Sequence, residues 1–139
     1  QGILGHSMGG HGALVMGLRN PELFPIYVRF CPDCGSHAVS LGHQSLHSLL
    51  GSDREQWQAY DASQLVKTHA DPRRPILIDQ GTADSFLETQ LMPQVFEQAC
   101  QAAGQPLTLR RQAGYDHSYF FIATFMADHI RHHAAVLCA

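Results

Sequence analysis

Short apolar runs alternate with stretches whose apolar residues recur every three or four positions, and the alternation marks out strands and helices in turn. Ile3-Leu4 is such a run at the front of the chain. A helical pattern carrying Ala13, Leu14, Met16 and Leu18 follows over residues 10–20. Asn20-Pro21 stops it, because the residue before a proline is pushed out of the α region. Ser52 or Asp53 caps a short helix around Trp57, and residues 60–66 make a second short helix or a turn. Pro75-Ile76-Leu77-Ile78-Asp79 reads as a buried parallel strand. Residues 87–103 form a helix with Leu91, Val95, Phe96 and Ala99 apolar, closed by Gly104. Leu107-Thr108-Leu109-Arg110-Arg111 alternates like a strand nearer the sheet edge. The last helix covers residues 119–137, apolar at Phe121, Ile122, Phe125, Met126 and Ile130. Strand, helix, strand, helix, strand, helix predicts an α/β fold, a mostly parallel sheet flanked by helices.

Composition narrows the function. With 139 residues the chain suits one domain. A net charge of -3 and the lack of any basic run leave no nucleic-acid footprint. No apolar stretch reaches the length of a membrane span, and nothing resembles a signal peptide. Cys31, Cys34, Cys100 and Cys138 follow no secreted-scaffold spacing, so a reducing, cytoplasmic setting is expected.

The candidate chemistry begins with Gly5-His6-Ser7-Met8-Gly9, a G-x-S-x-G between a strand and a helix. That arrangement resembles the nucleophile elbow of α/β-hydrolases. A serine on so sharp a turn calls for tiny neighbours two residues either side, so that strand and helix backbones can approach. The turn exposes Ser7 Oγ, and the Met8 N–H at the helix start faces an incoming oxyanion. Ser7 needs a base, and His117, in the loop after the last strand, is the best of ten histidines. Asp84, in the loop after the Ile76–Ile78 run, is the acid that would orient it, with Asp79 and Asp116 as weaker alternatives. His6 and His11 are too close to Ser7 in sequence to act as its base and more naturally line or support the site. In α/β-hydrolases several strands precede the elbow. The chain is therefore expected to be the C-terminal portion of one such domain, its early strands missing.

Three blocks carry a closer resemblance: G-H-S-M-G-G-H-G-A-L, I-D-Q-G-T-A-D-S-F-L and G-Y-D-H-S-Y-F-F-I-A-T-F-M-A-D-H-I-R-H-H-A. Together they resemble the S-formylglutathione hydrolase (esterase D) family, whose triad falls on Ser7, Asp84 and His117. The resemblance implies hydrolysis of the thioester S-formylglutathione to glutathione and formate, a step of formaldehyde clearance, with side activity on small aryl esters. It implies no metal or organic cofactor, and it leaves a homodimer open. It also implies that a second oxyanion donor comes from a preceding half of the fold. With the Met8 donor alone, a rate loss of about 10²–10³ is expected.

Residues 25–50 fit less well. They should hold the next strand and a loop, yet they present Cys31-x-x-Cys34 with His37, His43 and His47 nearby. Zinc binding and a redox pair are two readings, and neither has a second cysteine pair or a clear helix start to support it. A third reading explains more. Codons can be chosen for the whole stretch so that the shifted frame spells A-F-A-P-I and C-P-W-G-I-K-A-F segments that resemble the hydrolase family. The expectation is that 25–50 is out of frame, with Arg29 where an apolar strand residue belongs and the strand frayed around it. His129 and His133 stand at i and i+4 on the last helix and could share a metal. An exposed polar helix face is the expected reading of that cluster with His132.

Overall fold

The computed structural model describes residues 1–30 and 47–138. Four parallel strands lie in the order β1 (Gly2–His6), β2 (Ile26–Phe30), β3 (Ile76–Gly81) and β4 (Leu107–Gln112). Parallel neighbours need crossovers, and helices supply them. These are α1 (Met8–Arg19), α2 (Arg54–Gln58), α3 (Ala62–His69) and α4 (Pro93–Ala103), with α5 (Tyr119–Leu137) after the last strand.

The pleat of β3 decides what each face holds. Ile76 and Ile78 point to one side and pack with Leu14 and Leu18 of α1, Leu65 and Val66 of α3, and Phe96 and Ala99 of α4. Phe96 is fully buried, a contribution of about 1.5–3 kcal/mol for such a side chain. The opposite face carries α5, where buried Phe121 meets Leu91 with Tyr115, Ile122, Phe125 and Met126 around them.

Local chemistry explains most boundaries. Asn20 caps the end of α1, its backbone N–H and its Nδ2 both donating to the Met16 carbonyl. Asp53 caps α2 by accepting from Glu55 N, and Asp61 caps α3 by accepting from Gln64 N. Gly104 ends α4 at φ 70°, where a side chain would be strained.

Four expectations are corrected. The helix over 87–103 is two pieces, a π-helical turn at Leu87–Leu91 and then α4, because Pro93 forbids its predecessor the α region. Met92 adopts φ 38° and ψ 54° to join them. Met16 and Ile130, assigned to apolar helix faces, are 47% and 57% exposed. His129, assigned to an exposed face, is fully buried. Finally, β2 is not frayed over Ile26–Phe30: Arg29 is in register with Gly5 on one side and Ile78 on the other. Backbone pairing is indifferent to side-chain charge, and Ile-Tyr-Val favours a strand. The side chain of Arg29, and Cys31, Cys34, His37 and His43, lie outside the described residues.

His129 is buried because Asp79 needs it. The Asp79 carboxylate, itself fully buried, accepts from Arg110 Nε at 2.8 Å and Nη2 at 2.5 Å, from Gln112 Nε2 at 2.6 Å and from His129 Nε2 at 2.5 Å. An ionised carboxylate only accepts, so His129 carries its proton on Nε2. Arg110 also reaches Asp128 at 2.9 Å, which ties α5 a second time to the sheet.

Burial raises the Asp79 carboxyl, but the bonds from His129, Arg110 and Gln112 outweigh it, and the net shift is downward. A depressed carboxyl contributes stability that is complete above its unfolded value of about 3.9 and is lost as pH falls through the lower folded value. Replacing Asp79 by Ala leaves Arg110 partly buried without its main partner and should cost about 3–5 kcal/mol in urea unfolding. Asp79→Asn should in addition flatten the acid side of the stability–pH curve below about pH 4. An acid limb unchanged in that variant would place the titrating group elsewhere.

Candidate active site

Each of the three residues marked out by the sequence stands just past the C-terminal end of a strand, the end where parallel sheets carry their chemistry. Ser7 follows β1 directly, with φ 53° and ψ -122°. A non-glycine residue at such angles stores about 1–3 kcal/mol of strain, held here by the strand before it and the helix after it. His11 N donates to the Ser7 carbonyl at 3.0 Å to open α1. The amides of the first turn, Met8 among them, have no helical partner and present N–H groups with the positive end of the helix dipole.

The two glycines of the elbow are not equivalent. A Cβ on Gly5 would lie 2.1 Å from the Gly9 carbonyl oxygen, whereas a Cβ on Gly9 would meet nothing within 4 Å among the described residues. The expectation that both must be tiny is therefore corrected. Among the described residues, of the two only Gly5 is required by the close approach.

Asp84 and His117 are brought together by pairing that continues past the strands. Thr82 N donates to the Gln112 carbonyl, Ala83 N to the Tyr115 carbonyl and Gly114 N to Thr82 Oγ1, each at 3.0 Å. Gly81 makes this possible, since a Cβ there would come 2.2 Å from the Tyr115 oxygen. Asp84 Oδ2 then accepts from His117 Nδ1 at 2.6 Å. The Asp84 side chain is fully buried and that of His117 is 21% exposed, so the acid is shielded while the imidazole meets solvent. Phe86 N donates to Asp84 Oδ1 at 2.9 Å and Gln80 Nε2 to Oδ2 at 3.3 Å. With Nδ1–H committed to the carboxylate, His117 Nε2 is the nitrogen left to take a proton.

The alternatives to Asp84 have other work. Asp79 holds Arg110 and His129 across the sheet, and Asp116 Oδ1 accepts from Ser118 N at 3.0 Å in the turn before α5. Among the described residues His117 is hydrogen-bonded to Asp84 and not to Ser7. His6 instead brings the elbow against the base, its ring 4.5 Å from that of His117. Phe86 covers another side, edge-on at 5.3 Å.

Gln80 is the contributor that sequence reasoning missed. The signal was a polar residue at the buried end of β3, four positions before the acid. No group of three His, Cys, Asp or Glu side chains among the described residues is placed to hold a metal.

The Esterase family model, described as "Putative esterase", matches residues 1–132. The chain belongs to the Esterase family. It is similar to the S-formylglutathione hydrolase of Bos taurus, 49% identical over 138 residues, which cover 99% of this chain and 49% of the bovine protein. The S-formylglutathione hydrolase of Arabidopsis thaliana is 45% identical over 135 residues, covering 97% of this chain and 48% of the plant protein. A solved S-formylglutathione hydrolase from Agrobacterium tumefaciens superposes with a TM-score of 0.92 at 47% identity, over 97% of this chain and 48% of that one. The chain spans about half the length of the curated relatives it matches. The fold is that of the esterase and α/β-hydrolase type, here a part of a larger one.

The elbow asymmetry is directly testable in this Esterase-family chain. Gly5→Ala should displace the elbow and abolish cooperative unfolding. Gly9→Ala should fold normally and gain about 0.5–1 kcal/mol from helix propensity. Circular dichroism through a urea titration distinguishes the two, and equal damage from both would show that the space beside Gly9 is filled.

Proposed function

We propose that this chain carries the nucleophile, base and acid of a serine hydrolase that cleaves S-formylglutathione to glutathione and formate, with Ser7, His117 and Asp84 in those roles. The observation that carries the reading is the 2.6 Å Asp84–His117 bond beside the strained Ser7 elbow. Similarity to S-formylglutathione hydrolases at 45–49% identity supports the choice of substrate.

Ser7 Oγ adds to the formyl carbon while its proton passes to His117 Nε2, and Asp84 steadies the imidazolium that results. The carbonyl oxygen becomes an oxyanion against the Met8 N–H. Collapse breaks the carbon–sulfur bond, His117 returns the proton to the departing glutathione sulfur, and a formyl ester remains on Ser7. Water then attacks that ester with His117 again as base, releasing formate. Among the described residues only the start of α1 offers an oxyanion donor in this reading, and the resemblance assigns the second to a preceding half of the fold. A cytoplasmic place in formaldehyde clearance accompanies the reading, with a homodimer as the assembly to test. No helix among the described residues is long and apolar enough to cross a membrane.

We also propose that residues 25–50 are read out of frame. The DNA across codons 25–51 decides it, and an undisturbed frame there overturns it.

The catalytic reading makes quantitative demands. In the intact protein, S-formylglutathione should be hydrolysed and a p-nitrophenyl ester should give a burst of one nitrophenolate per active site. Ser7→Ala should abolish the burst, and Asp84→Asn should lower kcat by about 10⁴ by releasing the imidazole to the wrong tautomer. Near-normal turnover in Ser7→Ala would make the elbow serine structural.

A further inference from the structure

His6 is an imidazole outside the proposed triad that touches it. It is the last residue of β1 and is covalently next to Ser7, so any movement of the elbow moves its ring. The ring lies against His117 with centroids 4.5 Å apart and planes inclined by 45°, a tilted ring contact. Its Nε2 is buried and has no hydrogen-bond partner among the described residues. A buried, unpartnered ring nitrogen is costly, and a hydrophobic side chain would fill the position without that cost.

We propose that His6 is a positioning residue for the acyl-transfer base, restraining the His117 ring by tilted ring contact and staying uncharged beside the imidazolium formed during transfer. The inference rests on the serine-hydrolase reading above and extends it. Among the described residues three contacts restrain His117: Asp84 at Nδ1, the Phe86 ring edge-on and the tilted His6 ring. Without the third, the imidazole is freer to turn about its bond to Asp84. Two imidazoliums in contact repel strongly in a partly buried site, whereas a neutral ring beside the His117 cation does not. The device works only while His6 is neutral. Burial lowers its basicity first and the neighbouring His117 charge lowers it further, with Asp84 opposing. His117 and Asp84 are the titratable groups that act on it among the described residues.

The sign of the pH effect follows. The active form needs both rings uncharged before reaction, so kcat/KM in the native protein should fall with two protons at the acid extreme. The test compares His6→Phe, which keeps an aromatic face and cannot titrate, with His6→Leu, which keeps bulk and loses the face. Active sites are counted by the p-nitrophenyl ester burst, so misfolded protein does not enter kcat. His6→Phe should retain kcat within about threefold and show an acid limb of one proton. His6→Leu should lose about tenfold or more in kcat with KM little changed, as expected for a misplaced base. Equal kcat in the two variants with the native acid limb preserved would overturn the proposal and leave the serine-hydrolase reading standing. Absence of a burst in the native protein would overturn both.

Discussion

Register between β3 and β4 is the constraint on which the site depends. The ladder from Ile76↔Leu107 to Gly81↔Gln112 does not end with the strands but runs on through Thr82, Ala83, Gly114 and Tyr115. Two loops zipped in this way cannot move independently, and each carries one partner of the Asp84–His117 bond. A slip of one residue would exchange faces along β3 and take the acid out of reach. The precision of the pair is thus inherited from backbone hydrogen bonds, with Gly81 allowing the approach that a Cβ would block.

The elbow is built on the opposite principle, strain rather than satisfaction. Ser7 sits at angles that its own side chain disfavours, and the neighbours that hold it there are Gly5, packed against the Gly9 backbone, and the first hydrogen bond of α1. The same geometry leaves the amides at the start of α1 without internal partners. Strain and unsatisfied donors are costs in the ground state, and under the proposed serine-hydrolase reading both become useful when an oxyanion forms beside them.

How much of this was legible in the sequence depended on whether a feature was local. The order of strands and helices, the caps at Asp53 and Gly104 and the bounds of α5 follow from spacing and turn chemistry within a few residues. The strand-end places of Ser7, Asp84 and His117 were legible because strand ends are legible, and sites in parallel sheets sit at strand ends. Three things were not. The break at Met92 was hidden because an apolar period continues across Pro93, and the period outweighed the proline. The exposure of Met16 and Ile130 depends on which flank of each helix meets the sheet, which helical spacing does not reveal. His129 looked like part of a polar face with His132 and His133, because its partner Asp79 lies fifty positions away on another element.

Asp79 and Asp84 show how one sheet assigns opposite roles to like residues. Both are buried carboxylates, both accept from a histidine, and only five positions separate them. The pleat sends Asp79 to the α5 face, where Arg110, Gln112 and a fully buried His129 surround it with donors. Asp84 lies beyond the pleat, on a loop, with two protein donors besides His117 and with that imidazole open to solvent on its far side. A carboxylate surrounded by fixed donors is a structural anchor, because no proton can leave or arrive without breaking the packing. A carboxylate that holds one side of a partly exposed imidazole can, in the proposed reading, steady a charge that comes and goes. The difference lies not in the acid or its partner but in exposure: the His129 side chain is fully buried, whereas that of His117 is 21% exposed.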